Sequence, residues 1–316
     1  MELPPTEGLD PRAVAVTEPE QMWNLFEEEE DTIRKALQAA RDDILEMAAQ
    51  MAATLSGSGR IIGLGAGTSG RILALDMAEW GPTFSVPEER RITLLAGGDG
   101  AFKRAVEGAE DDGAAARCAI EQLAVGTEDL VIGVSASGMA AWVREGLAAA
   151  QEHGARRIFI TCHGEPVDVV GGDELLHIRI ATGAEPVAGS TRLKAATATH
   201  RLLQRASTIC ALQNGWIHRG RMVALQATNA KLRCRAVTIV TDLTGLSKSA
   251  AEEAISSCNM DLRLAIATSW YSGDQKKAKQ ALVAVSGHLG RLEAHIMASG
   301  VGLGDSDRLA SGRLQP

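Results

Sequence analysis

The sequence has few aromatic residues and no long apolar run, and each of these absences excludes a class of protein. Aromatic residues make up 3% of the chain and the net charge is -8, a composition unfavourable to nucleic-acid binding. No apolar stretch approaches the length of a membrane span, and residues 1–12 lack the apolar core of a signal peptide. We therefore expect a cytoplasmic protein with neither a nucleic-acid nor a membrane partner.

The metal-binding residue types are also sparse. The cysteines are odd in number and lack Cys-x-x-Cys spacing, and the histidines show no spacing typical of a metal site. This pattern favours reduced thiols over a disulfide framework or a zinc site, and it predicts no metal and no cofactor. The five cysteines are Cys118, Cys162, Cys210, Cys234 and Cys258.

What the chain does contain is a series of short apolar runs separated by helical segments. Runs of this length, separated by helices, predict an α/β fold with a doubly wound, largely parallel sheet. Residues 19–55 before the first run have apolar residues near a 3.6 period and predict an N-terminal helix. The predicted strands are residues 60–64, 91–95, 129–134, 156–161 and 175–180.

The second half of the chain is predicted to be helical, with little strand signal after Thr191. One long helical segment is expected to reach about Val240, followed by short helices and a loose tail after Gly300. The predicted domains are an N-terminal helical segment, a central sheet domain that would carry the ligand site and a small C-terminal helical domain, at residues 1–55, 56–244 and 245–316.

The segment Gly65-Ala66-Gly67-Thr68-Ser69-Gly70-Arg71 lies between the first predicted strand and a helix. Backbone N–H groups, the positive end of the helix and the hydroxyls of Thr68 and Ser69 can converge there on one oxyanion. The loop therefore predicts a phosphorylated ligand, with Gly67, Thr68 and Ser69 as its contacts.

Two other interpretations of this loop remain open. Its Gly-x-Gly-x-x-Gly pattern also matches a dinucleotide site, which requires an acidic residue about 20 positions on, at the end of the next strand. Glu88 and Glu89 have the spacing but precede that strand, and Asp99 lies too far along. The third interpretation is a structural turn with no ligand.

Two further loops repeat the design. Ser135-Ala136-Ser137-Gly138 follows the third predicted strand, and Ser190-Thr191-Arg192-Leu193-Lys194 places hydroxyls at the predicted cap of the long helix. The first two loops should face one crevice, because the carboxyl ends of strands in an open α/β sheet lie along the same edge. Arg192 and Lys194 are unfavourable to the helix dipole, which suggests a bound anion. Taken singly, each serine is better explained as a turn or cap residue, and the convergence of the loops is what favours a phosphate.

Two glutamates are candidates for acid–base chemistry. Glu79 lies at the end of the helix that begins near Ser69, and Glu110 lies in an acidic run after Gly97-Gly98. A continuous helix from Ser69 to Glu79 advances about 15 Å, more than a hexose phosphate spans between its phosphate and carbon 3. Glu79 is then expected to serve a ligand held by another subunit, which predicts a homodimer with sites at its interface. The alternative for both glutamates is a solvated surface acid.

Several motifs, in this order along the chain, resemble the N-acetylmuramic acid 6-phosphate etherase family. That family has a sugar isomerase (SIS) domain and is related to the glucokinase regulatory protein. A weaker similarity lies at Thr6-Glu7-x-x-Asp10-Pro11. The motifs are Gly65 to Arg71, Asp76-x-Ala78-Glu79-x-x-Pro82-Thr83-Phe84, Ala96-Gly97-Gly98, Ala105-Val106-Glu107-Gly108-Ala109-Glu110-Asp111, Gly189-Ser190-Thr191-Arg192-Leu193-Lys194 and Gln226-Ala227-Thr228-Asn229-x-Lys231-Leu232.

The resemblance implies a cofactor-free, dimeric lyase that removes D-lactate from carbon 3 of the amino-sugar phosphate and leaves N-acetylglucosamine 6-phosphate. Matched position by position, Glu110 corresponds to the base at carbon 2 and Glu79 to the acid at the ether oxygen. The chain departs from the family at three places. Met139-Ala140-Ala141 replaces an arginine, threonine and proline, His163-Gly164 replaces an asparagine and proline, and Asp10 replaces an asparagine.

These departures keep other functions open. One is an isomerase or lyase that acts on a different sugar phosphate, because removal of the carbon 2 proton is the common first step. Another is a non-catalytic regulator that senses a sugar phosphate, as the glucokinase regulatory protein does. The presence of both Glu79 and Glu110 favours catalysis, because a binding protein needs no acid–base pair.

Overall fold

The computed structural model describes residues 5–164 and 175–298, and these form two compact units. The first unit is drawn from Met1–Ala78 and Pro87–Cys210, and the second from Glu79–Val86 and Ala211–Pro316. The division predicted from the sequence, after residues 55 and 244, stays a prediction. The predicted loose tail after Gly300 lies outside the described residues.

The first unit contains a sheet of five parallel strands in the order β2-β1-β3-β4-β5. This order confirms the predicted doubly wound α/β fold, because the strand order reverses between β1 and β3. The strands are β1 (Ile61–Gly65), β2 (Arg91–Leu95), β3 (Leu130–Val134), β4 (Arg156–Thr161) and β5 (Leu175–Arg179). The predicted strands match these within one residue at each end.

Helices cover the sheet because its central strands are apolar along their whole length. Every residue of β1 and β3 is buried, so neither face of these strands can meet water. The helices that lie in the first unit or begin there are α1 (Pro11–Val14), α2 (Pro19–Ala39), α3 (Arg41–Ser56), α4 (Gly67–Phe84), α5 (Gly113–Gln122), α6 (Ala141–Glu152) and α7 (Lys194–Gln213).

The prediction of a single helix over residues 19–55 is wrong, because Ala40 separates α2 from α3. Ala40 has φ -86° and ψ 11°, outside helical geometry, and it closes α2 by donating its N–H to the Ala36 carbonyl. Asp42 and Asp43 then lie in the first turn of α3, where carboxylates are favourable to the helix dipole. The interruption leaves the apolar periodicity unchanged, so the pattern gave no sign of it.

The second unit is a small helical assembly with one short hairpin. Its elements are β6 (Ile217–His218), β7 (Arg221–Met222), α8 (Ala230–Thr244), α9 (Lys248–Ser257), α10 (Leu262–Trp270), α11 (Gln275–Ala284) and α12 (Leu289–Ala298). Side chains of Asn229, Ser247, Asp261 and Asp274 cap α8 to α11 by accepting backbone N–H bonds. Buried residues of these helices, including Ile266 and Trp270, form one core.

The prediction that the long helix reaches Val240 is also wrong. It ends at Gln213, because Gly215 adopts a left-handed conformation with φ 69° and the Trp216 N–H returns to the Ala211 carbonyl at 2.9 Å. The antiparallel hairpin of β6 and β7 follows, in a region where the sequence showed little strand signal. Across the described part of the chain, no helix is long and apolar enough to cross a bilayer.

Candidate functional site

The first predicted phosphate loop connects β1 directly to α4. The close approach of Gly65 and Gly70 makes this tight turn possible, since a Cβ on Gly65 would lie 2.4 Å from the Gly70 Cα. Thr68 and Ser69 are half-buried in the first turn of α4, which begins at Gly67. The first N–H groups of a helix have no acceptor within it, so this turn offers donors to an anion.

The second loop begins beside the first one. Gly65 of β1 pairs in register with Val134 of β3. The loops after these two strands therefore leave the sheet side by side, at the point where the strand order reverses. Ser135 is buried and donates its N–H to the Ile160 carbonyl at 3.0 Å. Ser137 is half-buried, and its hydroxyl accepts the Met139 N–H at 3.2 Å.

The third loop joins the second through a small buried cluster of Ala136, Cys162 and Ala195. The Cys162 N–H donates to the Ala136 carbonyl at 2.9 Å, and Ala195 lies in the first turn of α7. Burial raises the pKa of Cys162 to about 12, so its thiol acts in packing rather than as a nucleophile. The structure thus brings the three hydroxyl-bearing loops to the carboxyl edge of one sheet.

The N-terminus of α7 is capped by a carboxylate that the sequence patterns did not identify. Glu185 is fully buried and accepts the N–H groups of Lys194 and Ala195 at 2.9 and 3.0 Å. The expected hydroxyl cap at Ser190 and Thr191 is therefore wrong, because the chain makes a turn there and α7 begins only at Lys194. Burial raises the pKa of Glu185.

The two cations of the third loop have different environments. The Lys194 ammonium is buried, where it pairs with Glu29 and donates to the Ala184 carbonyl at 2.7 Å. The anion that accompanies Lys194 in the structure is thus a carboxylate of α2. Arg192 is exposed. Contact between Lys194 and a phosphate stays a prediction, as do phosphate contacts from Ser190 and Thr191.

Glu110 is exposed in a 3₁₀ turn, Ala109–Asp111, within the connection from β2 to α5. Arg71, in the second turn of α4, holds this connection by donating to the carbonyls of Ala101, Phe102 and Arg104 at 3.0, 3.1 and 3.2 Å. In the sequence, Arg71 is only the last residue of a loop motif, with no indication of what its side chain contacts. In the structure it links the first predicted phosphate loop to the segment that carries Glu110.

A cavity of about 480 Å³ lies next to this turn, a size typical of small-molecule sites. Trp142 of α6 contributes to its wall, and the buried indole N–H of Trp142 has no hydrogen-bond partner among the described residues. The cavity therefore lies between α6, the helix that follows the second loop, and the segment that carries Glu110. Its lining residues are Gly97, Gly98, Val106, Glu107, Gly108, Ala109, Asp112, Ala115 and Trp142.

Glu79 is exposed near the end of α4, which is continuous from Gly67 to Phe84. Within the second unit, Phe84 stacks on Trp216 with ring centroids 5.9 Å apart, and the Ser85 hydroxyl donates to the Ala224 carbonyl. These contacts fix the chain just beyond Glu79. Glu110 belongs to the first unit and Glu79 to the second.

Comparison with known proteins gives consistent results. Residues 43–151 match the family model of the glucokinase regulatory protein N-terminal SIS domain. The chain is 39% identical over 242 residues to an N-acetylmuramic acid 6-phosphate etherase of Thermobifida fusca, covering 77% of this chain and 78% of the relative. It is 35% identical over 286 residues to the etherase of Salmonella agona, covering 90% and 94%.

Among solved structures, the chain is similar to a phosphoheptose isomerase of Francisella tularensis. The alignment has a TM-score of 0.43 and 15% identity, and it covers 63% of this chain and 98% of the isomerase.

Proposed function

The chain belongs to the N-acetylmuramic acid 6-phosphate etherase family, and we propose that it cleaves the D-lactyl ether of N-acetylmuramic acid 6-phosphate. The products are N-acetylglucosamine 6-phosphate and D-lactate. The observation that carries this proposal is the similarity to named etherases over most of the chain. Glu79 and Glu110 are the proposed acid and base. We also propose that the protein acts in the cytoplasm, because its cysteine pattern favours reduced thiols.

The reaction follows from the acidity of the carbon 2 proton in the open-chain aldehyde. Glu110 removes that proton, the carbon 3–oxygen bond to the lactyl group breaks, and a double bond forms between carbons 2 and 3. Glu79 gives a proton to the departing ether oxygen, which leaves as lactate. Water then adds at carbon 3 and a proton returns to carbon 2, which restores the amino sugar.

The substrate phosphate is proposed to bind at the three loops. The hydroxyls of Thr68, Ser69 and Ser137 and the first N–H groups of α4 supply donors, as does the turn at Ser190 and Thr191. Support comes from the register of β1 with β3 and from the buried cluster that joins the second and third loops. Ser135 and Gly138 shape the second loop, with the Gly138 N–H bonded to the Ser135 carbonyl at 3.1 Å.

We propose a homodimer in which Glu79 acts on the substrate held by the other subunit. The support is the continuity of α4, over which Ser69 and Glu79 are about 15 Å apart along the helix axis. A hexose phosphate held at the first turn cannot reach that distance. One subunit therefore supplies the phosphate loop and Glu110, and the other supplies the acid.

Incubation with N-acetylmuramic acid 6-phosphate in deuterated water tests the proposal. The etherase releases lactate and introduces deuterium at carbon 2 of the product. Deuterium at carbon 2 without lactate would indicate an isomerase or another lyase, consistent with the replaced residues Met139 and His163. Neither deuterium nor lactate, together with retained binding, would indicate a sugar-phosphate sensor.

A further inference from the structure

The N-terminal motif Thr6-Glu7-x-x-Asp10-Pro11 has no part in the reaction described so far, yet it lies against the third loop. The Gly189 N–H donates to the Thr6 carbonyl at 3.0 Å. The Glu7 carboxylate covers Gly189 so closely that a Cβ on this glycine would lie 2.4 Å from Glu7 Oε2. Residues 6–12, called the strap below, therefore touch the loop just before Ser190.

Charged groups of alternating sign continue from the strap into the protein. The Arg12 guanidinium pairs with Asp10 at 2.6 Å and with Glu29 of α2. Hydrogen bonding to Arg12 lowers the pKa of Asp10. Glu29 in turn pairs with Lys194 at the start of α7, and the side chains of Glu29 and Lys194 are each 3% exposed. The strap, α2 and the third loop are thus joined by one chain of ion pairs.

A buried ion pair of this kind is a poor source of stability. Both charges lose their hydration, and an apolar pair of equal volume often serves the fold as well. What the pair does provide is a defined geometry, because each charge is strongly unfavourable without its partner. Here that geometry holds Lys194, the first residue of α7, three residues after Thr191.

We propose that the strap and Glu29 position the third loop for substrate, with Glu29 as a positioning residue and Lys194 as its anchor. The inference rests on the proposed function, in which Ser190 and Thr191 bind the substrate phosphate. The Lys194 ammonium then stays on Glu29 and the Ala184 carbonyl when substrate binds, and the phosphate meets hydroxyls and N–H groups instead.

The substitution Glu29→Gln tests the proposal, with Glu28→Gln as the matched control. Glu28 is the exposed neighbour on the same helix and also contacts Arg12, at 3.5 Å. Amide hydrogen exchange should become about tenfold faster over residues 189–196 in Glu29→Gln, with β1 and β3 unchanged. The KM for N-acetylmuramic acid 6-phosphate should rise about tenfold, with kcat within about threefold of the native value. Glu28→Gln should match the native protein in both measurements.

The double variant Glu29→Gln/Lys194→Met removes both charges and serves if the single variant fails to fold. Since no buried charge is then unpaired, exchange over residues 189–196 and KM should both stay less than about tenfold above the native values. A KM more than about tenfold above the native value would assign the ammonium to the phosphate and overturn the proposal. Unchanged exchange in Glu29→Gln, or equal acceleration throughout the first unit, would also overturn it.

The exchange measurement requires no catalytic activity. A native protein that releases no lactate would refute the proposed function, while the exchange rates would still decide whether Glu29 orders the third loop.

Discussion

Two kinds of residue have to be distinguished in the proposed site, those that act on the substrate and those that hold them in place. Candidates of the first kind could be named from the sequence, because the Thr68 and Ser69 hydroxyls follow a strand and Glu79 and Glu110 lie in motifs of a known family, and their roles stay predictions. Arg71 and Glu29 were not predictable, since the partners Ala101 and Lys194 lie far along the chain and meet them only in the folded protein. Glu185 was not predictable because it caps α7 from a segment nine residues before the helix begins.

The roles of the two glutamates can be separated by isotope exchange. Glu110→Gln should lower the rate of deuterium incorporation at carbon 2 and the rate of lactate release, each by at least about 100-fold, because the base acts first. Glu79→Gln should stop lactate release to a similar extent and spare the exchange. Both are measured by NMR of the substrate in deuterated water. Glu89→Gln, at an exposed position, serves as the control. Near-native activity in both Glu110→Gln and Glu79→Gln would contradict the roles assigned to these glutamates.

The tight packing around Gly70 in the first loop predicts that one added methyl group will lower the stability of the protein. In Gly70→Ala the new Cβ would lie 2.3 Å from the Leu95 Cδ1 and 2.7 Å from the Gly65 carbonyl carbon. This clash should lower the free energy of unfolding by about 2 kcal/mol, despite the better helix propensity of alanine. A urea titration measures it. Gly100→Ala, whose Cβ meets open space, should change stability by less than about 0.5 kcal/mol, and equal stability of both variants would contradict the packing described here.

At the scale of elements, the sheet was predictable and the ends of helices were less so. A fully buried strand has an apolar run that fixes its position, as in β1 and β3. The interruption at Ala40 leaves the apolar periodicity intact, and the end of α7 depends on Gly215, one of many glycines in the chain. The cap of α7 was missed because Glu185 reaches it from outside the helix.

The β6–β7 hairpin predicts a pH dependence of stability. Burial, followed by the charges of Arg219 and His288, lowers the pKa of His218 to about 4 from 6.5, and this outweighs the opposing charge of Glu293, whose Oε2 lies 3.4 Å from His218 Nε2. As pH falls below 6.5 the unfolded chain takes up a proton that folded His218 does not, so stability should decrease until about pH 4. The loss is about 1.4 kcal/mol per unit of pKa difference.

This dependence can be assigned to His218 by substitution. Urea titrations at pH 7 and pH 4.5 should show a smaller loss of stability at low pH in His218→Gln than in the native protein. The exposed His153→Gln should show the native loss. If His218→Gln and the native protein lose the same stability, buried neutral His218 is not the source of the pH dependence.

At the scale of the whole molecule, the account predicts that two inactive variants complement each other. If Glu79 acts in the partner's site, a dimer of one Glu79→Gln chain and one Glu110→Gln chain contains one site with both native glutamates. After subunit exchange, an equal mixture should recover about a quarter of native lactate release, since half the dimers are mixed and each has one native site. No recovery despite subunit exchange would place both glutamates in one chain.

The most direct test of the account is a crystal structure of Glu110→Gln with N-acetylmuramic acid 6-phosphate. The predicted result is a phosphate about 3 Å from the hydroxyls of Ser69, Ser137 and Ser190, with residue 110 facing carbon 2 and Glu79 of the second subunit at the ether oxygen. A phosphate bound elsewhere, with the three loops empty and Glu79 in bulk solvent, would contradict it.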